Sequence, residues 1–200
     1  MLDYDGVIVD SLEVTCRVSS EVLESHGFGH LATPPQILAL LKSNWYQALA
    51  EARVPRDVVL AVDDAIEQAV TQDVMSTPAV DGMPDVLRAL AHRHTVAIVT
   101  SARRSSVAAF LERHALTGVA DILGSEAHES KVRKIAWLRR RYPDHSRRWL
   151  VTDTVGDIHE AEAAGARTIG VAWGWHPVEK LRAAGADRIA YAPEDLLRLL

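Results

Sequence analysis

From Pro78 onward the chain alternates short apolar runs with stretches of helical periodicity, and few folds accommodate that texture. Val96-Ala97-Ile98-Val99 and Trp149-Leu150-Val151 are too short for helices and show no polar–apolar alternation. Such runs read as strands buried on both faces, as in a parallel sheet with helices on either side. Residues 120–123, 168–172 and 188–192 extend the series. Between the runs, Val107, Phe110 and Leu111 make one apolar helical stripe, and Ile135 with Leu138 makes another. The expectation is an α/β fold built on a doubly wound parallel sheet.

Residues 12–75 have a different character, helical throughout. Val14, Val18 and Val22 recur every fourth position, with Leu23 widening the stripe. Thr33-Pro34 followed by Gln36 has the form of a capping box with proline at the first helical position. Ile37, Leu38, Leu40 and Leu41 give that helix its buried face. A third helix carries Trp45 and Leu49, and a fourth spans about residues 56–71. These predict an all-helical cap over residues 13–76, inserted into a core made of residues 1–12 and 77–200.

Several function classes fall away on composition. A net charge of −5 disfavours a nucleic-acid partner. The basic residues Arg139, Arg140, Arg141, Arg147 and Arg148 read as the solvated end of a helix. Cys16 is the only cysteine, so neither an internal disulfide nor a cysteine-based zinc site is expected, and Cys16 reads as a packed apolar residue. No run approaches the ~18 apolar residues that span a membrane. No leader pattern opens the chain, so a cytoplasmic monomer or homodimer without membrane contact is expected.

In a doubly wound sheet, ligands gather beyond the carboxyl ends of the strands. The residues placed there are Asp3 and Asp5, Thr100 and Ser101, Lys131, and Asp153 and Asp157. Four converging carboxylates repel one another unless a cation sits among them. All-oxygen donors suit magnesium, and the hydroxyls and ammonium suit the oxygens of a phosphate.

Asp3-Tyr4-Asp5-Gly6, its apolar continuation and Asp10-Ser11 resemble the first signature of haloacid dehalogenase-like phosphatases. Thr100 is similar to the second, Lys131 to the third, and Asp153-Thr154-Val155-Gly156-Asp157 to the fourth. The tail from Gly170 to Asp187 is similar to phosphoglycolate phosphatase relatives. The resemblance implies a magnesium-dependent phosphatase acting on a small-molecule phosphate monoester. Asp3 is then the nucleophile that forms an aspartyl-phosphate, and Asp5 the general acid and base. Magnesium is implied on the Asp3 carboxylate, the Asp5 backbone carbonyl and Asp153, with Asp157 either a ligand or an orienter of ligands. Gly6, Thr100, Ser101 and Lys131 are implied to bind phosphate, with Lys134 the fallback for Lys131. The acid at Asp5 favours phosphate esters over carbon–halogen or carbon–phosphorus bonds, and leaves Lys42 a surface lysine rather than a Schiff-base former.

Bland alternatives stand beside these roles. Thr100 and Ser101 also suit a cap on a helix starting near Arg103, and Asp157 suits a helix N-terminus. Trp45 and Tyr46 read as half-buried aromatics between cap helices. Trp173, Trp175 and His176 follow a strand on the site's side of the sheet, and His159 reads as exposed. Thr152 stands where the family pattern has glycine, and Val132 where it has proline. Only Met1 and Leu2 precede Asp3, where the pattern has a strand of ~5 residues. This predicts a natural polypeptide that begins upstream, or a shortened chain with Asp3 on a loose terminus. The competing functions are a sugar-phosphate mutase of the same superfamily and a catalytically silent phosphate-binding relative.

Overall fold

A computed structural model describes residues 1–72, 77–144 and 148–200. The expected cap boundary at 76 and the basic residue Arg147 lie outside the described residues. The sheet runs in the order β2 (Val119–Leu123), β1 (Val96–Val99), residues 1–3, β3 (Trp149–Thr152), β4 (Arg167–Val171), β5 (Arg188–Ala190), and every pairing is parallel. All four residues of β1 are buried, as its unbroken apolar run requires. The observed limits of β2, β4 and β5 differ from the expected ones by one or two residues, the usual uncertainty of strand ends.

The loose terminus expected from the short start is not what the structure has. Leu2 bridges to both Ile98 and Val151. Its amide donates to the Ala97 carbonyl at 2.9 Å, its carbonyl accepts from Val99 at 2.9 Å, and the Asp3 amide donates to Val151 at 2.9 Å. On the other side the Met1 carbonyl accepts from Val151 at 3.0 Å. Two extended residues therefore satisfy the facing groups of both neighbours at the level of the site.

Four helices follow: α1 (Leu12–Ser25), α2 (Pro34–Leu40), α3 (Trp45–Glu51) and α4 (Arg56–Gln72). α1 packs along α4. Leu23, Tyr46, Leu49, Val58, Val59 and Val62 form their own apolar cluster, separate from the one around the sheet. α2 starts as its sequence signals, with Pro34 at the first turn and Gln36 Oε1 accepting from the Thr33 amide at 3.0 Å. The strands leading into and out of this segment lie side by side: the Asp10 amide donates to Pro78, and Val80 to Ile8, both at 2.9 Å.

Around the sheet lie α5 (Met83–Arg93), α6 (Arg104–Arg113), α7 (Lys131–Arg141), α8 (Val155–Ala163), α9 (Val178–Ala183) and α10 (Leu196–Leu199). The helices α5, α9 and α10 were not anticipated; Met83, Leu87 and Leu90 bury one face of α5 against Leu2, Ile8 and Ile98. Arg139, Arg140 and Arg141 are exposed in the last turn of α7, and Lys42, His159 and the buried Cys16 sit as expected. Among the described residues, no helix is long and apolar enough to cross a membrane.

Candidate active site

Four sequence-distant segments converge just beyond the carboxyl ends of residues 1–3 and β3. Asp3 leaves the centre of the sheet, and its Oδ1 accepts from the Tyr4 amide at 2.8 Å. Its Oδ2 receives Lys131 Nζ at 2.6 Å. Lys131 opens α7, whose N-cap Ser130 accepts from the Val132 amide at 3.2 Å. A proline at 132 would have no such amide, so the departure from the family pattern carries its own cap.

The same ammonium reaches Asp157 Oδ2 at 2.7 Å. That oxygen also accepts from the Thr152 hydroxyl at 2.7 Å, so the threonine replacing the pattern's glycine fixes the carboxylate. Asp157 lies in the first turn of α8, where Thr154 Oγ1 accepts its amide at 3.4 Å. Position at a helix N-terminus and position in the site are thus the same place.

Asp153 follows β3 directly. Its Oδ2 accepts from the Trp175 amide at 2.8 Å, and its carbonyl accepts from the His176 amide at 3.2 Å. Its Oδ1 is buried and has no hydrogen-bond partner among the described residues. Oxygens of Asp3, Asp153 and Asp157, all buried, come within 4.8 Å of one another. Gly6 closes this corner at φ +70°, and a Cβ there would lie 2.0 Å from Asp153 Oδ2. Only glycine allows both that conformation and that approach.

Electrostatics separates these acids. Burial drives the Asp3 carboxyl well above its usual range, Lys131 opposes the rise, and the Asp157 charge adds to it. Burial likewise raises Asp153 to about 7, against the donated Trp175 amide. Burial also acts to raise Asp157, but the Lys131 charge and the bonds to it hold that carboxyl down to about 2. Lys131 itself is pushed up, because Asp157 and Asp3 outweigh its burial.

Asp5 is not one of the acids whose oxygens come within 4.8 Å of one another: its Oδ1 accepts from Ser11 at 2.6 Å, and burial raises it while that bond pulls it down. Its carboxylate is therefore not the fourth converging acid expected from the sequence. Thr100 is buried, with Oγ1 accepting from the Ala102 amide at 3.0 Å. The expected cap by Thr100 and Ser101 is not formed. α6 starts one residue late, at Arg104, and the Glu126 carboxylate accepts the Arg104 amide at 3.2 Å. Lys134 Nζ goes to the Thr100 carbonyl at 2.6 Å rather than to Asp3, and burial lowers it to about 8, with Lys131 adding to the effect.

Above these groups a chamber opens between sheet and helical segment, about 1080 Å³ counting its space open to solvent. Asp3, Asp5, Thr100, Ser101, Lys131 and Asp153 line its floor, together with Asp157. Trp45 and Trp175 also border it, while Tyr46 is buried in the cluster of α1, α3 and α4. His176 bridges the two parts: its Nδ1 accepts from the Val155 amide at 3.0 Å, and Nε2 lies 3.0 Å from the Leu38 carbonyl. Accepting at Nδ1 requires the proton on Nε2, which then donates to Leu38. The Gly156 amide likewise donates to Leu41 at 3.0 Å, and a Cβ at Gly156 would meet the Ser43 carbonyl oxygen at 2.4 Å. Sequence reasoning missed Thr152, Ser130 and the Trp175 amide, whose roles are set by loop geometry with no residue-type signature.

Solved structures repeat this architecture. One bearing the name haloacid dehalogenase-like hydrolase, from Bacteroides fragilis, aligns with a TM-score of 0.81 at 20% identity over 98% of this chain and 97% of that one. A predicted phosphatase from Clostridium acetobutylicum aligns at 0.79 and 18% identity, over 99% and 95% of the two chains. A predicted phosphoglycolate phosphatase from Haemophilus somnus aligns at 0.72 and 19% identity, again over 99% and 95%. At such identities the likeness establishes the fold. No curated protein matches the chain. The profile of the haloacid dehalogenase-like hydrolases, by contrast, matches residues 1–171, from the central position of the sheet to the last residue of β4, and the chain belongs to that family.

Proposed function

We propose that this hydrolase is a magnesium-dependent phosphatase that cleaves a small-molecule phosphate monoester in the chamber above Asp3. The observation that carries the reading is the buried Asp153 carboxylate, which clusters with Asp3 and Asp157 and whose Oδ1 has no hydrogen-bond partner among the described residues. A buried carboxylate oxygen left without a donor is costly, and a hard cation is the partner that an all-oxygen set suits. Asp3, Asp153 and the Asp5 carbonyl would hold the ion, with Asp157 orienting Lys131 and Asp3. Magnesium bound there supplies charge to offset the carboxylates and to draw electrons from the phosphoryl oxygens.

The chain's own residues then do the following. Asp3 attacks phosphorus, the bond from phosphorus to the ester oxygen breaks, and the phosphoryl group rests on the Asp3 carboxylate. Asp5, whose burial favours the protonated form, gives its proton to the departing alcohol. Asp5 next accepts a proton from the water that attacks phosphorus, releasing inorganic phosphate and restoring Asp3. Lys131, the Thr100 and Ser101 hydroxyls and the backbone beside Gly6 bind the phosphoryl oxygens. Positioning and charge account for most of the acceleration in such a reaction. Relatives named phosphatases support the same reading.

The test is a panel of phosphate esters assayed with and without magnesium, in wild type and in Asp3→Asn. Turnover should require magnesium and fall on the order of 10⁴-fold or more in Asp3→Asn. Turnover that survives the substitution would refute Asp3 as nucleophile.

A further inference from the structure

The upper wall of the chamber takes no part in the chemistry above. α4 supplies it with one face, since Asp63, Ile66, Glu67 and Val70 recur at helical spacing and all border the cavity. Ile37 and Leu41 add apolar surface, and Trp45 adds an aromatic one. Among the described residues, two cations border the cavity, and both are already engaged. Lys131 is held between Asp3 and Asp157. Arg103 Nε pairs with Glu67 at 2.7 Å, and its Nη2 pairs with Asp64. Asp63 differs, because among the described residues it makes no ion pair, and Arg103 and Arg56 act on it only through space. An ionised carboxylate offers about four acceptor sites, so capacity is left toward the cavity.

We propose that the alcohol part of the substrate is an apolar chain ending in an ammonium group, its carbons against Ile37, Leu41 and Ile66 and its ammonium on Asp63. This rests on the phosphatase reading, whose floor fixes the other end of the molecule. An alcohol bearing a carboxylate, such as glycolate, meets the opposite conditions. Both chamber cations are spoken for, and two of the α4 side chains facing it are acids. Like charges brought together in a half-enclosed, low-dielectric space are penalised more than in water. A neutral alcohol gains the apolar wall and forgoes Asp63.

A matched series separates these cases: aminobutyl phosphate, butyl phosphate and the phosphate ester of hydroxybutyrate, which differ only at the far end. In wild type with magnesium at about pH 8, above the point where Asp63 ionises, kcat/KM should fall in that order. We expect at least about tenfold between the ammonium and carboxylate esters. Asp63→Asn should bring the ammonium-to-butyl ratio close to one. A carboxylate ester processed as well as the ammonium ester, or a ratio untouched by Asp63→Asn, overturns the proposal. Binding of the three corresponding phosphonates to wild type, measured by calorimetry, reads the chamber without any turnover. If nitrophenyl phosphate and all three esters go unhydrolysed, the phosphatase reading fails. The phosphonate affinities then still decide the chamber: ammonium tightest sustains the proposal, and any other order rejects it.

Discussion

On the floor of the chamber, Lys131 lies between Asp3 and Asp157, all three side chains buried and each charge answered by another from the same chain. On the wall opposite, Asp63 is half-buried, without an ion pair among the described residues, and lines the cavity together with Ile66, Val70, Ile37 and Leu41. Both regions bring acids out of water, but on the floor one ammonium from the same chain answers both Asp3 and Asp157, leaving Asp153 to a cation, whereas no ion pair of the chain answers Asp63 among the described residues. The floor is organised before any ligand arrives, as catalysis by fixed charges requires. The wall leaves one charge for something outside the chain to meet.

The strongest way to break this contrast is at Lys131. Lys131→Met removes one partner and leaves two buried carboxylates facing each other. Losses from breaking a buried pair run to about 3–5 kcal/mol, which urea unfolding at neutral pH should register. The substitution should also raise Asp157 from about 2, because the ammonium is the chief force holding it down. A depressed carboxyl stabilises the fold above its unfolded pKa and loses that contribution as pH falls from about 4 toward 2. In Lys131→Met that acid limb should disappear. A variant within about 1 kcal/mol of wild type would mean that the floor does not depend on its ion pairs.

Gly6→Ala sharpens the same region at smaller cost. The left-handed backbone penalises alanine by roughly 1–2 kcal/mol. The new Cβ, 2.0 Å from Asp153 Oδ2, must also push that carboxylate aside. Melting temperature should fall, and magnesium affinity by calorimetry should fall further than stability alone explains. An unchanged magnesium affinity would remove Asp153 from the ligand set.

How much of this was legible beforehand follows the same division. Asp3, Lys131, Asp153 and Asp157 could be placed because each stands at a strand end or helix start, and parallel sheets bring those ends together. Thr152 and Val132 read as departures, since nothing in residue type tells that Thr152 will donate to Asp157 or that the Val132 amide will bond Ser130. The loose terminus expected for Asp3 failed for a related reason: that two residues could bridge Ile98 and Val151 depends on the sheet already present around them. Asp63 gave no signal. Beside Asp64 it reads as a solvated helix face, and only the rotation of α4 as it packs on α1 turns it inward.

A third effect concerns pH without divalent cation. Asp153 rises to about 7 from a reference of 3.8, so the folded chain keeps a proton that the unfolded chain loses. Its contribution to stability is full below about pH 4 and declines as pH rises to about 7. Saturating magnesium selects the ionised form and should flatten that decline in urea midpoints. The same slope with and without magnesium would count against a cation at Asp153.

The smallest effect tests the wall. Burial raises Asp63 from 3.8 to about 6, only partly offset by the Tyr46 and Trp45 donors. Its protonated folded form is favoured between about pH 4 and 6, and above that window the ionised side chain costs the fold. Asp63→Asn carries no charge, and its amide oxygen can still accept from Tyr46 and Trp45. The variant should therefore melt slightly higher than wild type at about pH 8, by about 1–2 °C, with the gain vanishing near pH 4. The shift is small because the side chain is half-exposed and water screens it. A chain that becomes more stable when an acid is removed is holding that acid for a reason other than folding. If Asp63→Asn instead melts lower at every pH, Asp63 is a brace for Tyr46 and Trp45, and the contrast between floor and wall is one of burial alone.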